Sequence, residues 1–79
     1  MQDLQAGITA IVAAITRVPA HAICPDTDLR LDLNVDSLQG LQIMAAIEKR
    51  FGIQVPDAEL DAYTTVRAIG EAVARLRTN

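Results

Sequence analysis

Apolar positions recur along this chain at helical intervals, and no stretch shows the strict alternation of a half-buried strand. Leu4, Ile8, Ile11 and Ile15 follow at steps of four, three and four, so residues from about 3 to 16 are expected to form a helix with one apolar face. Arg17 stands near its end, where a cation suits the negative pole of the helix dipole. A second helix is predicted from Ser37 to about Phe51, ended by Gly52, which readily takes the left-handed conformation of a C-terminal cap. It carries two apolar stripes, Ile43, Ile47 and Phe51 on one side and Leu38, Leu41 and Ala45 on another. Both are buried if this helix is central; otherwise one faces solvent and offers a docking surface.

The segment Pro56-Asp57-Ala58-Glu59-Leu60 reads as a short helix, with Pro56 tolerated near its start and acids in its first turn. Thr64 or Thr65 can cap a final helix, where Val66, Ile69, Val73 and Leu76 repeat at three, four and three and Gly70 is a mild interruption. Between the first two helices runs the longest loop. Pro19 and Pro25 bracket a break, Asp26, Asp28, Asp32 and Asp36 follow, and Leu29, Leu31 and Leu33 are expected to pin the loop to the core. The predicted fold is all-α, a small bundle of three longer helices plus one short helix. With 79 residues, positions 1–79 make a single domain with no room for a second core.

Composition narrows the possible functions. Hydrophobic residues are 51% of the chain but aromatic ones only 3%, so the core must be aliphatic, as suits a helical bundle. The formal net charge of −3 argues against a nucleic-acid partner, which needs a face dominated by Lys and Arg. A single cysteine, Cys24, excludes an internal disulfide, and a single histidine, His21, excludes a multi-histidine metal site. Met1-Gln2-Asp3-Leu4 has no basic run ahead of an apolar one, and no segment approaches membrane-spanning length, so a cytoplasmic monomer is expected.

Asp36-Ser37-Leu38 carries the most chemical information. Asp36 can accept a hydrogen bond from the first turn of the second helix, and Gln39, three residues on, can reach back to the Asp36 N–H. Ser37 then stands at the first helical position, where free N–H groups and the positive helix pole favour an anion such as a phosphodiester. Taken alone, the tripeptide also reads as an ordinary helix cap. A serine hydrolase is excluded by the absence of a Gly-x-Ser-x-Gly elbow and of a second histidine, and by the small size of the chain. Cys24, beside a proline, reads as a small buried or neutral residue, and His21 as a loop side chain. Asp26, Asp28 and Asp32 lack the glycine and terminal glutamate of a calcium loop and read as loop-solvating or capping groups.

In order and spacing, Leu33-Asn34-Val35-Asp36-Ser37-Leu38, Ile47-Glu48-Lys49-Arg50-Phe51-Gly52, Ile53-Gln54-Val55-Pro56-Asp57 and Thr64-Thr65-Val66 resemble an acyl carrier protein, a phosphopantetheine-dependent carrier. The resemblance covers nearly the whole chain. It implies that Ser37 is the attachment point of phosphopantetheine, delivered from coenzyme A by a phosphopantetheinyl transferase, with Asp36 and Leu38 beside the arm. The arm's thiol would hold an acyl, aminoacyl or polyketide group as a thioester. The chain itself would catalyse nothing; the tether raises the effective concentration of its cargo at each partner enzyme. An acyl- or aminoacyl-loading ligase and downstream pathway enzymes would be the partners.

Two departures stand out. Asn34 occupies the place of a usual glycine, which is tolerable because Asn visits the left-handed region more readily than most residues. Where carriers of fatty-acid synthesis place acids on the docking helix, this one has Gln39, Gln42, Lys49 and Arg50, with Glu48 its only acid. Complementary charge governs encounter and partner choice, so a specialised lipid or secondary-metabolite role is expected over a housekeeping one. The docking set would be Gln39, Leu41, Gln42, Ala45 and Glu48, joined by Asp57 and Glu59, with Asp32, Asp36 and Asp61 adding acidity around the arm. The alternative is a small helical interaction module that docks through its second helix with Ser37 unmodified or phosphorylated.

Overall fold

Three α-helices carry the fold in the computed structural model, which describes residues 2–77: α1 over Gln2–Thr16, α2 over Ser37–Phe51 and α3 over Val66–Arg77. A six-residue 3₁₀ helix, Asp57–Ala62, lies between α2 and α3, and a three-residue 3₁₀ turn, Ala20–Ala22, follows α1. The all-α bundle of three longer helices and one short one is therefore present. The turn at Ala20–Ala22 was not legible between its flanking prolines.

The hub is α1, which packs against both α2 and α3. Ile8 and Val12 of α1, Ile43, Met44 and Ile47 of α2, and Val66, Ile69 and Val73 of α3 form the centre of the core. Because α2 rests on α1 by one side only, its two stripes part company: Ile43 and Ile47 are buried, while Leu38 is 65% and Leu41 57% exposed and Ala45 is exposed. Phe51 is half-buried at the edge of the core. Gly70 allows α3 its approach to α1, since a Cβ there would stand 3.1 Å from Gln5 Nε2 and 3.7 Å from Ile8 Cδ1.

Helix boundaries follow the local chemistry. Gly52, at φ 66°, closes α2 in the left-handed region, its N–H donating to the Glu48 carbonyl. Arg17 lies just beyond α1 and is itself left-handed, at φ 64°, donating its N–H to the Ala13 carbonyl at 2.8 Å. Of the two threonines before α3, Thr65 is the cap: its Oγ1 accepts from the Ala68 N–H at 3.0 Å.

The loop before α2 is more ordered than its sequence suggests. Asp28 Oδ1 accepts from the N–H groups of Arg30 and Leu31, and the Asp32 N–H donates to the Asp28 carbonyl at 2.8 Å, so residues 28–32 wind as a helical turn. This corrects the expectation that three leucines pin the loop: in a turn, Leu29 and Leu33 fall on one side, buried and half-buried, while Leu31 points away and is 83% exposed. Cys24, expected to be small and buried or neutral, is exposed and unpaired.

Candidate functional site

The site is assembled where the loop meets α2. Asn34 takes φ 57°, the left-handed turn that brings the chain onto the helix. The Val35 N–H donates to the Leu29 carbonyl at 2.9 Å and Val35 is buried, which anchors the last residue before the cap. Asp36 is extended, at φ −88° and ψ −178°, and its Oδ1 accepts from the Gln39 N–H at 2.8 Å. The expected return bond from the Gln39 side chain to the Asp36 N–H is absent among the described residues, so the cap is one-sided. Asp36→Ala is expected to cost about 1 kcal/mol, the usual worth of such a cap. Denaturant unfolding measures the loss, and faster amide exchange at Gln39 localises it to the first turn.

Ser37 is exposed at the first position of α2 and is the only serine of the chain. Among the described residues the N–H groups of Ser37 and Leu38 have no acceptor, as expected at a helix start. The hydroxyl is thus accessible, and an esterified phosphate beside it would meet unpaired donors and the positive helix pole.

Beside Ser37 lies an apolar cavity of about 240 Å³. Its lining combines buried Leu29, Val35, Ile43 and Met44 with Leu60 and Tyr63, while exposed Arg30, Ser37, Leu41 and Asp61 stand at its mouth. It is smaller than the roughly 300–1,000 Å³ of a typical small-molecule site. No group of three or more His, Cys, Asp or Glu side chains suited to a metal occurs among the described residues.

Tertiary contacts hold this end of the bundle in register. The Leu29 N–H donates to the Thr64 carbonyl at 2.8 Å, Asp28 and Thr65 form an antiparallel bridge, and the Arg67 N–H donates to the Pro25 carbonyl at 2.9 Å. Arg67 also pairs with Asp26 at 2.8 Å, and this hydrogen bond and charge hold the Asp26 carboxyl below its ordinary pKa. The pair is well exposed, so it orients more than it stabilises.

Not all of the expected docking acids are free. Glu59 accepts from the Tyr63 hydroxyl and from Arg75 Nη2 at 2.7 Å, and these hydrogen bonds lower its pKa. Tyr63 is pushed up, first by burial and then by its bond to Glu59. This trio ties the 3₁₀ helix, and with it one wall of the cavity, to α3. Glu48 is also engaged, its Oε2 accepting from the Val55 N–H at 2.8 Å. Gln42, Ala45, Asp57 and Asp61 are exposed, and Gln39 is half-buried. Neither Arg67 nor the Glu59 trio was singled out from sequence, because the partners are distant along the chain.

The fold and site define a class: a small helical domain that presents one serine at a helix start beside an apolar cavity. Residues 6–73 match the family described as the phosphopantetheine attachment site. An acyl carrier protein of Streptomyces coelicolor is 42% identical over 64 residues, covering 81% of this chain and 70% of that protein. One from Thermosynechococcus vestitus is 34% identical over 62 residues, covering 78% and 76%. A meromycolate extension acyl carrier protein of Mycobacterium tuberculosis is 29% identical over 76 residues, covering 96% and 64%. The chain belongs to the phosphopantetheine attachment-site family, among the acyl carrier proteins. It is accordingly a non-enzymatic carrier whose prosthetic group is phosphopantetheine. Among the described residues no helix is long and apolar enough to cross a membrane.

Proposed function

We propose that Ser37 bears the phosphopantetheine and that the protein serves a specialised cytoplasmic lipid or secondary-metabolite pathway. The observation that carries the assignment is the placement of the chain's sole serine, exposed at the capped start of α2 beside the cavity. When bound, the group supplies a thiol that holds cargo as a thioester. Asp36 shapes the turn that presents the hydroxyl, the α2 N–H groups suit the phosphate, and the apolar lining is chemically suited to an acyl chain. Incubating the protein with coenzyme A and a broad-specificity phosphopantetheinyl transferase tests this: intact and peptide mass spectrometry should find one phosphopantetheine on Ser37. A folded but unmodified protein, alongside a modified control carrier, would favour a docking module instead.

The specialised role rests on the charge of α2, which has no acid in its first turn and both Lys49 and Arg50 in its last. With Glu48 and Glu59 occupied by internal bonds, the outward surface is left to Leu38, Leu41, Gln42, Ala45 and Lys49, with Asp57 and Asp61 nearby. A relative named for meromycolate extension is consistent with such a dedicated use. Replacing Gln39, Gln42 and Lys49 with acids is expected to raise the rate at which basic fatty-acid-synthesis enzymes load the protein, by about tenfold at low salt and less as salt screens the charges. Unchanged kinetics would refute this account of the surface.

A further inference from the structure

We propose that the C-terminal end of α2, far from Ser37, anchors a carboxylate-rich surface of a partner protein. The proposal rests on the docking role given to α2 above and specifies the partner's chemistry. Two guanidinium groups converge on one ring there: Arg50 lies 5.7 Å and Arg77 5.8 Å from the centroid of Phe51. Lys49, the residue before Arg50, is exposed. Arg67 and Arg75 are consumed by Asp26 and Glu59, whereas Lys49, Arg50 and Arg77 make no ion pair among the described residues.

The arrangement is supported from beneath. Gly7 sits inside α1, where glycine costs about 1 kcal/mol relative to alanine. A Cβ at that position would stand 3.0 Å from Arg50 Nε and 3.1 Å from Phe51 Cζ. The guanidinium of Arg50 thus occupies the notch that the missing side chain leaves. Its Nε and Nη2 edge packs against α1, the residue as a whole is exposed, and no carboxylate engages it among the described residues, which leaves its charge and outer donors for a partner's carboxylates.

The surroundings favour a protein over a small anion or a membrane. The cavity beside Ser37 and the shallower one between Tyr63 and Arg75 are both lined by residues other than these cations. The net charge of −3 opposes adsorption to an anionic bilayer or a nucleic-acid backbone. Leu38, Gln42, Ala45 and Lys49 succeed one another at steps of four, three and four, and all are exposed. They therefore share one face of α2, spanning about 17 Å at 1.5 Å per residue. The face thus combines exposed apolar and polar groups with a cation at one end, as protein interfaces do, and this span lies within an ordinary one of about 800 Å² per partner.

Amide spectra of the ¹⁵N-labelled chain, titrated with an octa-glutamate peptide, test the proposal. Shifts should concentrate at Gly7, Lys49, Arg50, Phe51 and Arg77, and disappear at about 1 M salt, where screening reaches about 3 Å. Lys49→Gln, which touches no packing, should weaken binding severalfold, and Arg50→Gln with Arg77→Gln about tenfold or more, as loss of charged hydrogen bonds implies. Gly7→Ala keeps every charge but displaces the guanidinium, so it should also weaken binding; the spectra report folding in each case. Shifts spread equally over Arg17, Arg67 and Arg75 would overturn the proposal. So would tighter binding of inorganic phosphate or of vesicles one-third anionic in lipid. Transferase modification of the unaltered protein is scored separately: its failure sinks the carrier assignment of Ser37, while failure of the peptide alone sinks only the anchor.

Discussion

Ser37→Ala is expected to abolish loading completely while leaving the bundle folded. The hydroxyl is the only one at the start of α2, it is exposed, and it takes part in no hydrogen bond among the described residues. The cap belongs to Asp36, whose carboxylate still receives the Gln39 N–H in the variant. A surface change of this kind moves stability by no more than about 0.5 kcal/mol. Mass spectrometry after incubation with coenzyme A and a transferase should find one added group on the unaltered protein and none on the variant, with superimposable thermal melts. A variant that still gains the group would place the attachment elsewhere, and one that unfolds would make the serine structural.

Ile47→Ala should have the largest effect on stability. Ile47 is fully buried on the inner side of α2, amid side chains from the other helices. Truncation to alanine at such a site costs about 2–5 kcal/mol, through lost burial and the cavity left behind. A chain of this length has in total roughly 4–12 kcal/mol, from about 0.05–0.15 per residue. The melting temperature should fall by roughly 10 °C or more, at about 4–8 °C per kcal/mol. Leu41→Ala, on the opposite side of the same helix, should change stability by about 0.5 kcal/mol or less and weaken partner docking instead. Equal destabilisation by the two variants would mean that the outer stripe is not a free surface.

The contrast between Ile47 and Leu41 also marks how far the sequence can be read. Both lie on regular apolar stripes of the same helix, and periodicity alone ranks them equally. What separates them is that α1, and not α2, is the hub of the bundle, so only one stripe of α2 meets a neighbour. The loop leucines teach a similar lesson. Alternate positions suggested three anchors, but the bonds to Asp28 Oδ1 wind the segment into a turn and expel Leu31. The acids Glu48 and Glu59 looked available for docking because the Val55 N–H, Tyr63 and Arg75 that engage them are recruited by the folded backbone.

Local chemistry by itself determined the helices and their limits: apolar spacing set their faces, Asp36 and Gly52 set the bounds of α2, and Asn34 supplied the left-handed turn ahead of it. These features depend on a residue and its near neighbours, so order along the chain is enough to disclose them. Only the tertiary structure decided which α2 stripe stays exposed, how the 28–32 turn is stitched to the start of α3, and that the cations Arg50 and Arg77 gather around Phe51 over Gly7. Each joins residues remote in sequence, and their proximity exists only once the apolar faces have packed.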